Sequence, residues 1–339
     1  MNPADQVPAT AQLRAMASGY RITQAIHVVA VLGIADLVGD ASRSADHLAV
    51  DSESDAGALR RVLQALAAEG VFVEDEEGQF ANNELSRALT SDAPGSLRSY
   101  AMFIGADYHW ETWGNLLHSV RTGENAFNAR YGTGVWSYRA DKPELSAVFD
   151  AFMKSNTETA AAAVVSAYDF SAARTVVDVA GGTGALLGAV LEANPGVSGV
   201  VFDQPVVIDQ ADEVNRDSAW ASRCEFVAGS MFESVPANGD VYMLKSIVHV
   251  WPDADAVTIL SRCREAMDDT ATVLVIERLL EGPNRAADTK FSDLNMMVML
   301  GGRERTAAEF ADLCQQAGLR LQRTIPTSSP WVVLEAVKA

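Results

Sequence analysis

One histidine and two glutamates in the C-terminal half of the chain have the side chains needed for proton transfer. His249 follows a strand-like run at 240–245, and no other histidine occurs after residue 118. Imidazole is the side chain best suited to accept a proton near neutral pH. Glu277 ends another apolar run, and Glu304 precedes a predicted helix start. A carboxylate that accepts a hydrogen bond from one ring nitrogen leaves the other nitrogen free to accept a proton. We therefore predict that His249 is a general base oriented by Glu277 and Glu304.

A glycine-rich turn lies earlier in the same half, in the stretch VVDVAGGTGALL at 176–187. A strand that ends in glycines before a helix gathers backbone N–H groups and the positive end of a helix dipole at one point. No lysine follows Gly184, which excludes a Walker phosphate loop. Gly182 and Gly184 fit a dinucleotide fingerprint, but Leu187 stands at its third glycine position. A nicotinamide dehydrogenase is therefore a distant alternative.

Polar residues at three successive strand ends favour an S-adenosylmethionine site instead. Asp178 precedes the glycines and could meet the ammonium group of that cofactor. Asp203 follows Gly184 by 203 − 184 = 19 residues, about the spacing at which an acid receives ribose hydroxyls. Ser230 and Met231 follow the third strand, where an adenine ring would lie. Open α/β sheets bind ligands at the carboxyl ends of their strands.

Each of these residues also has a purely structural alternative. A lone histidine is more often structural than catalytic, and Asp203 could be a solvated loop acid. Glu277 could form a salt bridge with Arg278, and Glu304 could simply favour a helix start through the dipole. It is the combination of positions that favours the site.

The elements that would position these residues alternate between strand and helix from residue 175 onward. This rhythm predicts an α/β fold with a doubly wound, mostly parallel seven-stranded sheet and helices on both faces. Only the short link PTSSPW joins the last two strands, so we predict that they are antiparallel. The predicted strands are 176–179, 199–202, 225–228, 240–245, 272–276, 320–324 and 332–336.

The N-terminal third predicts three helices followed by a hairpin, which is a winged-helix pattern. The hairpin turn carries the acidic run 74–77, whereas a DNA-binding wing needs basic residues. A dimerisation module is therefore favoured over a DNA-binding one. We place a winged-helix-like dimerisation domain at 1–95, a helical linker region contributing to an acceptor pocket at 96–168, and the catalytic domain at 169–339.

Composition limits the possible partners. The 339 residues carry a formal net charge of −19, which repels nucleic acid and anionic lipid. The three cysteines lack metal-ligand spacing and fit a reduced, cytoplasmic protein. Residues 1–10 show no secretory signal, and no apolar stretch is long enough to span a bilayer. We expect no metal, no nucleic acid and no membrane partner.

Taken together, these motifs resemble the S-adenosylmethionine-dependent small-molecule O-methyltransferases, which include plant caffeate-type enzymes and bacterial enzymes that tailor aromatic polyketides and phenazines. The resemblance extends over nearly the whole chain. It is carried by VVDVAGGTGALL, VVFDQPVVI, GSMFESVP, LKSIVHVWPDADAVTIL and MLGGRERTAAEF, together with the helical stretch WETWGNLLHSVRTGENAF.

The resemblance implies a class I methyltransferase, Rossmann-like catalytic domain, a homodimer and roles for individual residues. It assigns His249 as base and Glu277 and Glu304 as its flanking acids. The positions assigned to cofactor binding are Asp178, Ala180, Gly181, Gly182, Gly184, Asp203, Gln204, Ser230, Met231, Lys245 and Ser246.

Three positions depart from the family pattern. Ala180 stands where glycine is usual, and Ser230 stands where aspartate is common. Val250 follows the histidine where plant members carry aspartate, which removes one polar group beside the base.

Aromatic and methionine side chains suit a flat apolar acceptor. Ordinary core packing is the alternative for each of them. The predicted acceptor contacts are Phe103, Trp110, Phe152, Met153, Asn295, Met296 and Met299.

We therefore predict an O-methyltransferase that acts on a phenolic hydroxyl of a small aromatic secondary metabolite. One alternative is a family member that uses bound S-adenosylmethionine in hydroxylation or decarboxylation of an aromatic polyketide. The other is a winged-helix regulator with a ligand-sensing domain.

Overall fold

The computed structural model describes residues 8–339, so most of the segment on which the absence of a secretory signal was predicted lies outside the described part. The chain divides into two compact units. One comprises residues up to Glu111 together with Lys142–Ser155, and the other comprises Thr112–Asp141 together with Asn156–Ala339. The predicted linker region, 96–168, is thus divided between the units.

The first unit is mostly helical and begins with the predicted helix, helix, helix, hairpin order. Ser44 accepts a hydrogen bond from the backbone N–H of His47, and Asp55 accepts one from Ala58, so each caps the helix that follows. Its elements and those that continue into 112–167 are α1 Ala9–Ser18, α2 Tyr20–Val31, α3 Ile34–Val38, β1 Arg43–Ser44, α4 Ala45–Asp51, α5 Ala56–Ala68, β2 Val73–Glu74, β3 Gln79–Ala81, α6 Glu84–Arg87, α7 Arg98–Gly105, α8 Asp107–Gly114, α9 Leu116–Thr122, α10 Ala126–Tyr131, α11 Val135–Ala140 and α12 Pro143–Ala167.

A small sheet and one apolar cluster hold the N-terminal part of this unit together. Strands β1, β3 and β2 pair antiparallel in that order, and β2 and β3 form the predicted hairpin. Ile34, Leu48, Leu63 and Phe80 are fully buried in the cluster. Helices α2 to α5 therefore present one apolar stripe each to a common core.

The second unit contains the predicted alternation of strands and helices. Its remaining elements are β4 Thr175–Val179, α13 Ala185–Ala193, β5 Ser198–Asp203, α14 Pro205–Asn215, β6 Cys224–Ala228, β7 Val241–Lys245, α15 Asp253–Ala266, β8 Thr272–Glu277, α16 Ala287–Met299, α17 Ala307–Gln316, β9 Leu319–Pro326 and β10 Val332–Lys338.

The seven strands form one sheet in the order β6-β5-β4-β7-β8-β10-β9. The first five strands pair in parallel, whereas β10 pairs antiparallel with both β8 and β9. The predictions of a mostly parallel sheet and of two antiparallel final strands are confirmed. In the sheet, β4 lies between β5, which follows it in sequence, and β7. The crevice at its carboxyl end is therefore the topological switch point where such sheets bind ligands.

Helices cover both faces of the sheet. Val177 and Tyr242 point into one apolar core, which α15 and α17 complete. Val176 and Met243 point into the opposite core, which α13 and α14 complete. Alternate residues of a strand face opposite sides, so a strand covered on both faces is apolar throughout. The sequence VVDV of β4 departs from that rule only at Asp178.

None of the helices described in residues 8–339 combines the length and the apolar character needed to cross a membrane.

Candidate active site

The glycine-rich turn joins β4 to α13 and is bound to the end of β5. The backbone N–H groups of Ala180 and Gly181 donate to the carbonyl oxygen of Phe202, at 2.7 and 3.3 Å. The N–H of Gly182 donates to Oδ2 of Asp203 at 2.8 Å. Helix α13 begins directly after Gly184. The turn is therefore a fixed loop at the helix N-terminus, with Asp203 beside it.

Backbone conformation explains why glycine is needed in this loop. Ala180, Gly182 and Gly184 have φ of +55°, +58° and +77°, in the left-handed region that side chains disfavour. A Cβ at Gly181 would lie 2.7 Å from Cγ of Asp178, so this position has no room for a side chain. A Cβ at Gly182 would meet nothing within 4 Å, so the space above this residue is open to a ligand. Ala180 carries a Cβ and therefore adopts this left-handed conformation with backbone strain.

Asp178 is a buried acid in the sheet with an unused oxygen. Among the described residues, its Oδ2 has no hydrogen-bond partner. Burial, reinforced by the charge of Asp203 and opposed by Lys245, raises the pKa of Asp178 to about 7. A buried acceptor without a partner is costly, so this oxygen fits a cationic or N–H-bearing ligand group.

The tips of β5 and β6 lie next to this loop. Oδ1 of Asp203 accepts from the N–H of Gln204 at 2.7 Å. Burial raises the pKa of Asp203, although its bonds to Gln204 and Gly182 act in the opposite direction. The N–H of Gly229 donates to the carbonyl oxygen of Asp203, which places Ser230 and Met231 at the adjoining tip. Predicted cofactor residues from three strands thus share one edge of the sheet.

Lys245 and Ser246 occupy the carboxyl end of β7, on the other side of β4. Nζ of Lys245 donates to Oγ1 of Thr157 at 3.2 Å and lies 5.1 Å from the ring centre of Trp331. Burial lowers the pKa of Lys245 to about 8, although the charges of Glu277 and Asp178 oppose this. Thr157 and Trp331 were not predicted from the sequence, because neither lies in a recognised motif.

His249 lies between two fully buried carboxylates. Its Nδ1 is 3.0 Å from Oε2 of Glu277 and 3.3 Å from Oε1 of Glu304. The backbone N–H of His249 also donates to Oε1 of Glu277 at 3.2 Å. The imidazole is 13% exposed, whereas both glutamates are 0% exposed. The structure therefore brings together the three side chains that we predicted as base and orienting acids.

The two carboxylates set the charge of the imidazole. Burial acts to lower the pKa of His249, but Glu277 and then Glu304 outweigh it and raise the pKa to about 10. Burial likewise acts to raise the pKa of Glu304, but His249 and Ser292 bring it below its ordinary value. The two carboxylates therefore favour the imidazolium form of His249 near neutral pH.

Several residues that hold Glu304 in place were missed from the sequence. Ser292 of α16 donates to Oε1 of Glu304 at 2.7 Å, and Asp293 accepts from its backbone N–H at 2.8 Å. Leu279 and Arg305 form a parallel bridge, so the segments that follow β8 and α16 run side by side. The sequence signal was the polar pair Ser292–Asp293 between the apolar residues Phe291 and Leu294.

The same three side chains could also approach a divalent ion. One ligand-type atom from each of His249, Glu277 and Glu304 lies within 4.8 Å of the others. A carboxylate pair around a ring N–H accounts for the same geometry. Our expectation that no metal is required stays a prediction.

The predicted acceptor residues fall in both units. In the first, Phe103 and Phe152 stack with ring centres 5.0 Å apart, and Trp110 lies 6.4 Å from Tyr20. Met153 occupies the same turn of α12 as Phe152. Contacts of this kind occur both in aromatic cores and in binding sites, so they do not distinguish the two.

In the second unit, the predicted acceptor residues lie on α16. Asn295 accepts a hydrogen bond from the indole of Trp113 at 3.0 Å. Met296 and Met299 are buried on the helix that also carries Ser292. These three residues therefore share one element with the groups that hold Glu304.

Comparison with known families and structures agrees with this architecture. A family model described as an O-methyltransferase domain matches residues 113–320, and one described as an O-methyltransferase dimerisation domain matches residues 15–92. The phenazine O-methyltransferase PhzM of Lysobacter antibioticus is 40% identical over 335 residues, covering 99% of this chain and 98% of that protein.

One further relative is named for nitrogen methylation, and one similar solved structure contains S-adenosylmethionine. The 8-amino-8-demethylriboflavin N,N-dimethyltransferase of Streptomyces davaonensis is 31% identical and covers 93% of this chain and 91% of its own. The crystal structure of LaPhzM superposes with a TM-score of 0.95 at 40% identity, covering 98% of this chain and all of that one. NcsB1 from neocarzinostatin biosynthesis, solved with S-adenosylmethionine and 2-hydroxy-5-methyl naphthoic acid, gives 0.82 at 33% identity, covering 94% and 96%.

Proposed function

The chain belongs to the family of S-adenosylmethionine-dependent O-methyltransferases that tailor aromatic secondary metabolites, and we propose that it methylates a phenolic hydroxyl of a small aromatic compound. The observation that carries this proposal is the position of His249. Its Nδ1 faces Glu277 and Glu304, on the edge of the sheet that also carries Asp178 and the glycine loop.

The residues around the switch point fit the cofactor. When bound, S-adenosylmethionine supplies a methyl group on a positively charged sulfur. The unpartnered Oδ2 of Asp178 would hold its ammonium group, and Asp203 would accept from the ribose hydroxyls. Gly182 leaves room for close approach to the loop, and Ser230 and Met231 would contact the adenine ring.

His249 would act as general base through its other ring nitrogen. With a proton on Nδ1 held by the two carboxylates, Nε2 has the lone pair that accepts the phenolic proton. Glu277 and Glu304 then stabilise the imidazolium that forms. Such a site contributes more to the rate by holding the acceptor oxygen in line for attack than by accepting its proton.

The raised pKa of His249 matches the acid that it must deprotonate. A phenol has a pKa of about 10, and the two glutamates raise the pKa of His249 to about 10. With an unperturbed imidazole, proton transfer would be uphill by about 3.5 pKa units, which is ~5 kcal/mol. At neutral pH, this gain in proton affinity is offset by the cost of first deprotonating the imidazolium, so the carboxylates act mainly by holding the ring in place.

The same pKa means that the ligand-free enzyme holds His249 in the charged form, which cannot accept a proton. A positive charge brought into the neighbouring pocket lowers the pKa of an imidazole. We therefore expect His249 to become a competent base only in the cofactor-bound state. This order of events would protect the base until the methyl donor is present.

We also propose that the protein is a homodimer. The dimerisation-domain match, residues 15–92, includes the end of α1 and all of α2. These two helices expose Leu13, Met16, Tyr20, Val28 and Val31. An unpartnered apolar helix face is typical of a subunit interface. Sedimentation equilibrium should give twice the mass of 36.2 kDa, and a concentration-independent monomer would contradict the proposal.

Methyl transfer can be tested directly with labelled S-adenosylmethionine. The acceptors should be a hydroxynaphthoic acid, a hydroxyphenazine and, as matched controls, their methoxy analogues. The proposal predicts an O-methylated product and equimolar S-adenosylhomocysteine from the hydroxy compounds only. A hydroxylated or decarboxylated product without S-adenosylhomocysteine would instead support the alternative chemistry.

Nitrogen methylation is a second candidate because a 31% identical relative is named as an N,N-dimethyltransferase. An aromatic amine is already nucleophilic, so it depends less on a base than a phenol does. Amino analogues in the same panel would distinguish the two. If amines were the better acceptors and loss of His249 had little effect on them, nitrogen would be the preferred target.

A further inference from the structure

A fully buried arginine lies beside Glu304 and takes no part in the mechanism described above. Arg305 is 0% exposed and is the largest fully buried side chain in the described residues. Burying a guanidinium is costly unless its N–H groups are paired. The acceptors of these N–H groups therefore indicate the role of the buried guanidinium.

The guanidinium of Arg305 contacts both ends of the turn that carries His249. Nη1 donates to the carbonyl oxygen of Val248 at 3.0 Å, and Nη2 donates to that of Trp251 at 2.9 Å. These residues bracket His249, which lies in the short 3-10 helix Val248–Val250. Nε and Nη2 also donate to Oδ1 of Asp253, at 3.0 and 2.7 Å, at the start of α15.

The segment that carries Arg305 contacts the same turn through its backbone. The N–H of Arg303 donates to the carbonyl oxygen of His249 at 2.9 Å. A Cβ at Gly302 would lie 2.2 Å from that same oxygen, so only glycine permits this approach. Glu304 lies between Arg303 and Arg305, both of which donate to this turn. The separation between His249 and Glu304 therefore depends on how the segment and the turn are joined.

We propose that Arg305 is a positioning residue for His249, whose guanidinium fixes the backbone of 248–251 so that the imidazole stays between Glu277 and Glu304. The planar fork of arginine donates in several fixed directions at once, whereas lysine cannot reproduce this arrangement. The consequence for catalysis rests on the proposed function, but the placement of the imidazole does not.

The first test follows the imidazole itself in the intact protein. The chain has five histidines, so 15N-histidine NMR gives few signals, and His249→Gln identifies the one of interest. In Arg305→Lys we expect the His249 signals to shift and the ring to titrate below its wild-type pKa, because the carboxylates no longer flank it closely. Asp253→Asn should shift them in the same direction by less.

Arg303→Met is the matched control. It removes an arginine from the same segment, but its side chain is half-exposed and pairs with Glu309, and it reaches only Oδ2 of Asp253, at 4.0 Å, whereas Arg305 binds Oδ1. We expect wild-type His249 signals in this variant. Arg305→Met removes the charge altogether; if it fails to fold, Arg305→Lys and Asp253→Asn still decide the matter.

The second test separates positioning from general damage. A displacement of about 1 Å can cost ~10²-fold in rate, so we expect Arg305→Lys to lower kcat between ~10-fold and ~10²-fold. The affinity for S-adenosylhomocysteine should stay within about twofold of wild type, because the cofactor loop does not contact Arg305. Wild-type His249 signals and kcat in Arg305→Lys would overturn the proposal. A parallel loss of cofactor affinity would also overturn it, by indicating a purely structural role. If the wild-type protein methylated no acceptor, the proposed function would fail while the NMR result still tested the positioning.

Discussion

Nδ1 of His249 lies 3.0 Å from Oε2 of Glu277, and neither carboxylate that flanks this ring is exposed to solvent. The pair joins the end of β8 to the turn after β7. Because both carboxylates are buried, solvent screens this contact only weakly, and the contact holds the ring in place and raises its pKa. The proposed role of His249 as a base depends on this contact.

The first prediction concerns the dependence of stability on pH. The folded-state pKa of His249, about 10, is above its unfolded value of about 6.5, so the folded state binds the extra proton. This contribution to stability is fully present below pH ~6.5 and is lost as the pH rises through ~10. His249→Gln should therefore be most destabilising, relative to wild type, at pH 6 and progressively less so at pH 8 and 9.

Urea unfolding at one protein concentration would measure this difference. His47→Gln, which changes an exposed histidine, is the comparison variant for the general effect of replacing an imidazole by an amide. If the free energies of unfolding of wild type and His249→Gln differed by the same amount at every pH, the ring would gain no proton affinity on folding.

The second prediction concerns Asp178 and cofactor affinity. Its pKa is raised to about 7, so much of this carboxyl is protonated at pH 6 and cannot pair with an ammonium group. The affinity for S-adenosylhomocysteine should therefore increase about tenfold between pH 6 and pH 8. Calorimetry at both pH values would measure it. Asp178→Asn should bind more weakly and lose most of the pH dependence, and an unchanged dependence in this variant would exclude Asp178 as the group responsible.

The third prediction concerns strain in the glycine loop. Ala180 has φ of +55° and Gly182 has φ of +58°. Because a Cβ in this conformation costs ~1 kcal/mol or more, Ala180→Gly should raise the free energy of unfolding by about that amount. Gly182→Ala should lower it by a similar amount, although nothing lies within 4 Å of the new methyl group. Thermal or urea unfolding of the two variants would show opposite signs if backbone conformation is the cause, and equal signs if it is not.

Much of the fold could be predicted because local patterns and the global arrangement agree. The apolar runs that became β4 to β10 are bounded by turn residues, and the side chains of Ser44 and Asp55 cap the helices that follow them. The sequence could not show that residues 112–141 and 142–155 fall in different compact units, because that depends on contacts between distant segments.

The predicted base and its acids could be found because each lies at an element boundary with few competing residues of its type. Arg305 was missed for the opposite reason, since a lone arginine between a predicted acid and a helix cap looks like a surface residue. Ser292 and Asp293 were missed because their partner, Glu304, is reached only through the folded chain. For Phe103, Trp110, Phe152 and Met153, which we predict as acceptor contacts, composition alone does not separate a binding site from a core.

The fourth prediction concerns metal. We expect methyl transfer to be unaffected by EDTA, because Nδ1 of His249 lies 3.0 and 3.3 Å from one oxygen of each glutamate, and a shared proton accounts for this spacing. The measurement is turnover before and after exhaustive dialysis against the chelator, with metal content checked by atomic emission. Activity that is lost on dialysis and restored by Mg²⁺ or Zn²⁺ would show that the cluster holds an ion.

The role of His249 is tested most directly by a single-turnover measurement of methyl transfer. Wild type and His249→Gln should be compared at saturating S-adenosylmethionine with the best acceptor of the phenol panel, after calorimetry shows equal affinity for S-adenosylhomocysteine. Because general-base help contributes ~10²- to 10⁴-fold, the account predicts a loss of that size in the rate of the chemical step. A folded, cofactor-binding His249→Gln variant with the wild-type rate would contradict it.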